Sequence, residues 1–139
     1  MDTEINKAFS EIEERKLLTT GELKSIKNDI LQKMIFEKDE LKYYHKLLTN
    51  YRYVDEIDEL RYGSYIRWFN LNKFKSLKLL NGGFIVDIKT NNKDIIILCK
   101  NAQNRFFNLK MSECFIFQKN TRQEELLIKI LDHVQSIEN

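Results

Sequence analysis

The chain has 139 residues, 42% of them hydrophobic and 12% aromatic, which is enough apolar material for a packed core and too much for global disorder. No run approaches the roughly 18 consecutive apolar residues of a membrane-spanning helix. The opening Met1-Asp2-Thr3-Glu4-Ile5 is acidic and lacks the apolar stretch of a secretory signal, so the expectation is an intracellular protein.

In chain order, residues 4–18 read as a short amphipathic helix, with Ile5, Ala8, Phe9 and Ile12 at helical spacing. Thr19 followed by Glu22 is a capping-box pattern, in which each partner satisfies a free amide at a helix start. From there the spacing predicts one long helix to about Leu48, striped by Leu23, Ile26, Ile30, Met34, Leu41, Tyr44 and Leu48 and interrupted at Glu37. A helix of that length would reach roughly 40 Å, longer than a small barrel is wide. The stripe is therefore a candidate face for a partner helix, either a second copy or another protein. Residues 1–50 form a helical arm in this scheme, and residues 51–62, with Asp55, Glu56, Asp58 and Glu59, form an acidic linker or a short helical turn.

The pattern then changes to short β-type runs. Tyr65–Leu71, Leu77–Leu80, Phe84–Lys89, Ile95–Cys99, Arg105–Leu109 and Cys114–Gln118 are separated by polar turns. Asn81-Gly82-Gly83 is expected to be a hairpin turn, because these residues tolerate positive φ. Alternation puts Phe84, Val86 and Ile88 on one face and Asp87 and Lys89 on the other. Five or six closely spaced strands suggest an antiparallel meander curling into a barrel. A last helix starts at a second capping box, Thr121 with Glu124, and carries Leu127, Ile130, Leu131 and Val134 to cap an open end or an edge strand. The predicted class is α+β: a helical arm (1–50), a linker (51–62) and a basic β-barrel with a C-terminal capping helix (63–139).

The formal charge of +2 hides a division. Residues 63–120 hold ten basic and three acidic side chains, an excess of seven positive charges; residues 1–62 hold eleven and fourteen, and residues 121–139 two and four. The lack of proline and the abundance of Lys, Ile, Asn, Phe and Tyr have the look of an AT-rich gene, but that bias does not by itself separate Lys from Glu and Asp. A compact, positively charged β domain attracts polyanions. Arg67, Lys73, Lys75, Lys78 and Arg105 are the candidate phosphate contacts, with Trp68 as a candidate stacking platform. The competing explanation is that the rings fill the core and the lysines keep turns soluble.

Catalytic and metal chemistry find little support. The two histidines, His45 and His133, fall on predicted helices away from Cys99 and Cys114, and no CxxC occurs, so no zinc site and no cofactor is expected. The cysteines sit in apolar runs that disfavour a thiolate nucleophile, and buried free thiols are expected. The acidic run could hold a metal, but a solvated linker, or one that contacts the basic barrel of its own or a neighbouring chain, is the simpler reading. Asn81-Gly82-Gly83 lacks the lysine and following helix of a phosphate loop.

Arg61-Tyr62-Gly63-Ser64-Tyr65-Ile66-Arg67-Trp68, Leu80-Asn81-Gly82-Gly83-Phe84-Ile85-Val86-Asp87-Ile88, Ile97-Leu98-Cys99-Lys100-Asn101, Arg105-Phe106-Phe107 and Phe117-Gln118-Lys119 together resemble small uncharacterised proteins of large nucleocytoplasmic DNA viruses, over about residues 61–131. This resemblance implies a host-cytoplasmic or virion location and no particular activity. The same stretch looks like an SH3-like or Sm-like barrel. It lacks the later glycine of the Sm second strand after Asp87, and Asn104-Arg105-Phe106 stands where that family has Arg-Gly, so no RNA-binding residues are carried over. The expected function is a non-catalytic binding module whose barrel contacts nucleic acid and whose arm oligomerises or docks. The alternative is a structural or assembly protein of a virus particle, acting through protein–protein contacts.

Overall fold

The computed structural model describes residues 2–35, 37–72, 77–80 and 82–138. It is an α+β structure. Among these residues four helices accompany one open, fully antiparallel six-stranded sheet. The helices are α1 (Asp2–Glu14), α2 (Thr20–Gln32), α3 (Lys38–Leu47) and α4 (Arg122–Glu138). The strands are β1 (Tyr51–Val54), β2 (Tyr65–Asn70), β3 (Gly83–Asn91), β4 (Asp94–Lys100), β5 (Phe106–Lys110) and β6 (Cys114–Lys119), in the order β1-β6-β2-β3-β4-β5. No helix among the described residues is long and apolar enough to cross a membrane.

The sheet curls but does not close. Its inner face gathers Val54, Ile66, Trp68, Ile85, Ile97, Leu109 and Ile116 into one core cluster, so the two edge strands β1 and β5 contribute to the same interior. The expected barrel is therefore an open sheet with two edges. Period-2 alternation sends Tyr53, Phe69, Phe115 and Phe117 to the outer face, where α2 and α3 cover them with Ile30, Leu31 and Leu48. Edge-on ring contacts tie this layer together, Tyr44 to Phe69 at 5.2 Å and Phe69 to Phe117 at 6.1 Å. A third cluster joins α1 to α4 through Ile12, Leu17, Leu127 and Ile128.

Both capping boxes form as the sequence predicts. Thr19 Oγ1 accepts from Glu22 N while the Glu22 side chain reaches back to Thr19 N. Thr121 and Glu124 repeat the exchange at 3.1 and 2.9 Å. The long helix does not form. It ends at Gln32 and restarts at Lys38, with Glu37, the residue that interrupts the stripe, as the extended residue before α3. The break lets α2 and α3 both lie on the curved sheet. Ile30 and Leu48 are buried there, Met34, Leu41 and Tyr44 pack beside them, and Leu23 turns to the α1–α4 cluster; of the stripe only Ile26 stays exposed. The proposed partner face is thus largely consumed inside the chain.

Four further expectations are corrected. Tyr51–Val54, expected in the linker, is β1, whereas Ile57–Glu59 forms the short helical turn expected in that segment. The Leu77–Leu80 run does not form a hairpin with β3: Leu79 bridges Phe69, and Leu80 N donates to Trp68 O, so both it and β3 lie along β2. Gly82 and Gly83 serve close packing instead of a turn (Asn81 lies outside the described residues). A side chain on Gly82 would run into the Tyr65 ring, and one on Gly83 would meet Phe107 Cζ at 2.8 Å and Cys99 Cβ at 3.2 Å. Finally, a register shift between Ile85 and Asp87 moves the phase of β3, so Ile85 and Ile88 face the core while Phe84 and Val86 face out.

One end of the sheet's interior is polar. Glu124, fully buried, lies under three guanidinium groups: Arg61 at 2.8 Å, Arg52 at 3.8 Å and Arg15 at 4.0 Å. Arg52 also faces Glu59 at 3.8 Å and donates to Arg15 O at 3.1 Å. Its β6 neighbour Gln118 accepts from Arg61 N and Ser64 Oγ and donates to Glu59 O. Removing the carboxylate would leave Arg61 and Arg15 without an acidic partner and buried Arg52 with Glu59 alone. Glu124→Gln is therefore expected to cost about 3–5 kcal/mol, seen as a lower urea midpoint at unchanged slope. By contrast, Gly21→Ala, where nothing lies within 4 Å of the added Cβ, should raise the midpoint.

Candidate nucleic-acid interface

The sequence-predicted site residues do not assemble into one site. Trp68 is 5% exposed and packs against Phe107 at 5.3 Å within the core, so it offers no open face for a base. It points inward because it alternates with Arg67 and Phe69 on β2. Arg67 is half-buried and donates from Nε to Leu80 O at 3.2 Å, which ties β2 to the segment before β3. Lys78 and Arg105 are exposed, in the approach to β3 and in the β4–β5 turn. Lys73 and Lys75 lie outside the described residues.

A different surface emerges from the registers. The helices cover the outer face over β1, β6 and β2, and leave it open over β3, β4 and β5. The pairings Phe84↔Lys100 and Lys100↔Phe106 put these three side chains in one row on that open face. Phe84 is 48% and Phe106 61% exposed, and Lys100 Nζ stands over the Phe106 ring, 5.8 Å from its centre. Tyr65 extends the row, edge-on to Phe84 at 5.1 Å. Two rows further along, Lys89↔Ile96↔Lys110 add two more cations. Among the described residues of the 63–120 segment, Lys89 alone has a carboxylate at ion-pair distance, Asp87 at 3.8 Å. The two phenylalanines stand two strand spacings apart, about 10 Å, with an ammonium between them.

Phe84 is the functional candidate that sequence reasoning missed, and Phe106 was visible only as one of two rings beside Arg105. Alternation grouped Phe84 with Val86 and Ile88 on one face, and the bulge at Val86 separates it from the core-packed Ile88. The signal available beforehand was the Arg105-Phe106-Phe107 run, where two adjacent rings on a strand must point to opposite faces.

The other chemistry-bearing groups are accounted for locally. Cys99 and Cys114 are free and buried, and burial pushes their thiols up to about 12 and about 11, which leaves no thiolate at neutral pH. Glu56, Asp58 and Glu59 bring their carboxylates together. Two of them are held by the arm's own Lys16, whose Nζ lies 2.7 Å from Glu56 and 2.8 Å from Asp58, while Glu59 faces Arg52 of β1 at 3.8 Å. Lys16 takes a positive φ of 53° at the end of α1, with Leu17 N bonded to Ile12 O and Lys16 N to Glu13 O, which turns its side chain to that acidic pair. The hydrogen bonds to Asp58 and Glu56 hold the Lys16 ammonium protonated well above the ordinary lysine range.

No protein-family model, curated protein or solved structure matches this chain. The exposed rings carry little folding energy if they serve a ligand. Phe106→Ala should change unfolding stability by less than about 1 kcal/mol, whereas the same truncation at buried Phe117 should cost about 3–5 kcal/mol in urea denaturation.

Proposed function

We propose that the protein is a non-catalytic nucleic-acid-binding module that uses the open outer face of β3, β4 and β5. In this reading Phe84 and Phe106 stack bases, while Lys100, Lys110 and Arg105 meet phosphates. The observation that carries it is the exposed Phe84–Lys100–Phe106 row, in which Lys100, like Lys110 two rows away, has no carboxylate at ion-pair distance among the described residues. Flat rings on a sheet accept any base, and an ammonium between them suits a flexible backbone, so single strands are the favoured substrate. On this view the curled sheet works as an open variant of an SH3-like or Sm-like module. The arm's apolar stripe is spent on the sheet, so the oligomerising arm of the sequence reading is not part of the proposal.

The alternative is an assembly protein, in a virus particle if the resemblance over residues 61–131 holds. The edge strand β5, which carries the exposed Phe106, favours it, since an unpaired edge beside an apolar ring is a template for another chain.

Fluorescence anisotropy with labelled single- and double-stranded oligonucleotides across a salt series separates the two. Single strands should bind at roughly micromolar affinity, with a log–log salt slope near −2 for about three phosphates. Phe84→Ala and Phe106→Ala should each weaken binding roughly 5- to 100-fold. Absence of binding at low salt, together with self-association that Phe106→Ser abolishes, would replace this reading with the assembly one.

A further inference from the structure

A second positively charged place lies beside β1, in the helical arm whose formal charge is negative. A cavity of about 370 Å³ opens between α2, the end of α3, the start of β1 and α4. Lys24, Lys27, His45 and Lys46 line it, and Glu125 is the single carboxylate in its wall. Lys24 and Lys46 reach it from exposed positions. Lys27 is different: it is 6% exposed, and its ammonium donates to Leu48 O at 2.9 Å. No carboxylate stands at ion-pair distance from Lys24, Lys27 or Lys46 among the described residues. Glu125 instead accepts from Asn120 Nδ2 at 3.2 Å.

An ammonium carries three donors, and one carbonyl uses one of them. Burying a charge without a counter-charge is costly, and such groups are kept where they have a use. The electrostatics agree with the geometry. Burial lowers the Lys27 pKa, and Lys24 lowers it further against the pull of Glu125. His45, whose Nε2 lies 2.9 Å from Asn28 Oδ1, is likewise lowered by burial and then by Lys27 and Lys24. Three ammonium groups from two helices, with the His45 imidazole beside them, thus converge on a cavity whose wall holds one carboxylate.

We propose that this cavity is an anion site for a small phosphate ester or diphosphate, with Lys24, Lys27 and Lys46 on its oxygens. A lone carboxylate would satisfy one ammonium and leave two. The volume lies at the lower end for small-ligand sites, which suits a compact ligand with a short organic part against Leu23, Tyr51 and Ile128.

The test uses the full chain with sodium pyrophosphate and inorganic phosphate as probes, and sodium chloride at matched ionic strength as control. Pyrophosphate should bind more tightly than phosphate in calorimetry and raise the melting temperature. In NMR titrations it should move the His45 midpoint upward, because a bound anion favours the imidazolium, and leave the exposed His133 unchanged. Lys27→Gln should weaken pyrophosphate about tenfold, as should Lys24→Gln with Lys46→Gln, two exposed changes that spare the fold if the buried one does not. Phe106→Ala should leave pyrophosphate binding intact, and Lys27→Gln should leave oligonucleotide binding intact. No stabilisation and no His45 shift at about 10 mM pyrophosphate beyond the chloride control would overturn the inference, since a site that weak holds no ligand specifically. Loss of pyrophosphate binding in Phe106→Ala would overturn it too, by placing the anion on the sheet face.

Discussion

The buried carboxylate of Glu124 joins four parts of the chain that are distant in sequence. It belongs to the first turn of α4, where it also closes that helix's capping box. Its guanidinium neighbours come from the α1–α2 connection (Arg15), from β1 (Arg52) and from the segment entering β2 (Arg61). One residue therefore fixes where the last helix sits relative to the first and to the sheet edge. Its hydrogen bonding is incomplete: the second oxygen and the Nε of both Arg52 and Arg61 have no aligned donor or acceptor among the described protein groups. A network of this kind contributes specificity more than net stability, because each ion loses water to reach it. What it specifies is the pairing of β1 with β6, since Arg52 and Gln118 are register partners and both turn inward to reach it.

That pairing decides which surfaces remain open. With β1 outermost at one side, the aromatic outer face over β1, β6 and β2 becomes the seat for α2 and α3. Two short helices can follow a curved sheet where one straight helix of the same length cannot. The same two helices are then too short to reach β3, β4 and β5. The exposed Phe84–Lys100–Phe106 row is thus the remainder of a sheet that the arm covers only in part. The bulge at Val86 completes it by turning Phe84 out of the core without disturbing Ile88.

Helix starts were legible in the sequence because a capping box is local: Thr19 with Glu22 and Thr121 with Glu124 need only their own turn. Five of the six strands were legible from short β-branched and aromatic runs; the sixth, β1, was not, and the Leu77–Leu80 run contributes only a bridge. What escaped depends on distant partners. Tyr51–Val54 looks like linker until β6 is beside it, because an arginine in a strand reads as exposed unless a buried glutamate awaits it. The glycines at 82 and 83 looked like a turn, yet their role is set by the rings of Tyr65 and Phe107 from other strands. Trp68 looked like a platform beside basic residues, but alternation on β2 sends it inward with Ile66.

Charge taught a related lesson. Summed by segment, the arm is acidic and the sheet basic, and only the sheet attracts attention as a polyanion surface. Pairing changes that picture. In and around the arm Lys16 takes up Glu56 and Asp58, while the arginines share Glu59 and Glu124. Thr20 takes Asp132 through its backbone and side chain. Carboxylates engaged in this way are not at hand for Lys24, Lys27 and Lys46, whose ammonium groups stay concentrated at one cavity. At a Debye length of about 8 Å, a ligand responds to the groups nearest it and not to the segment total. Two separate positive places, one flat and aromatic, the other recessed and lined by helices, are therefore compatible with a chain whose formal charge is only +2.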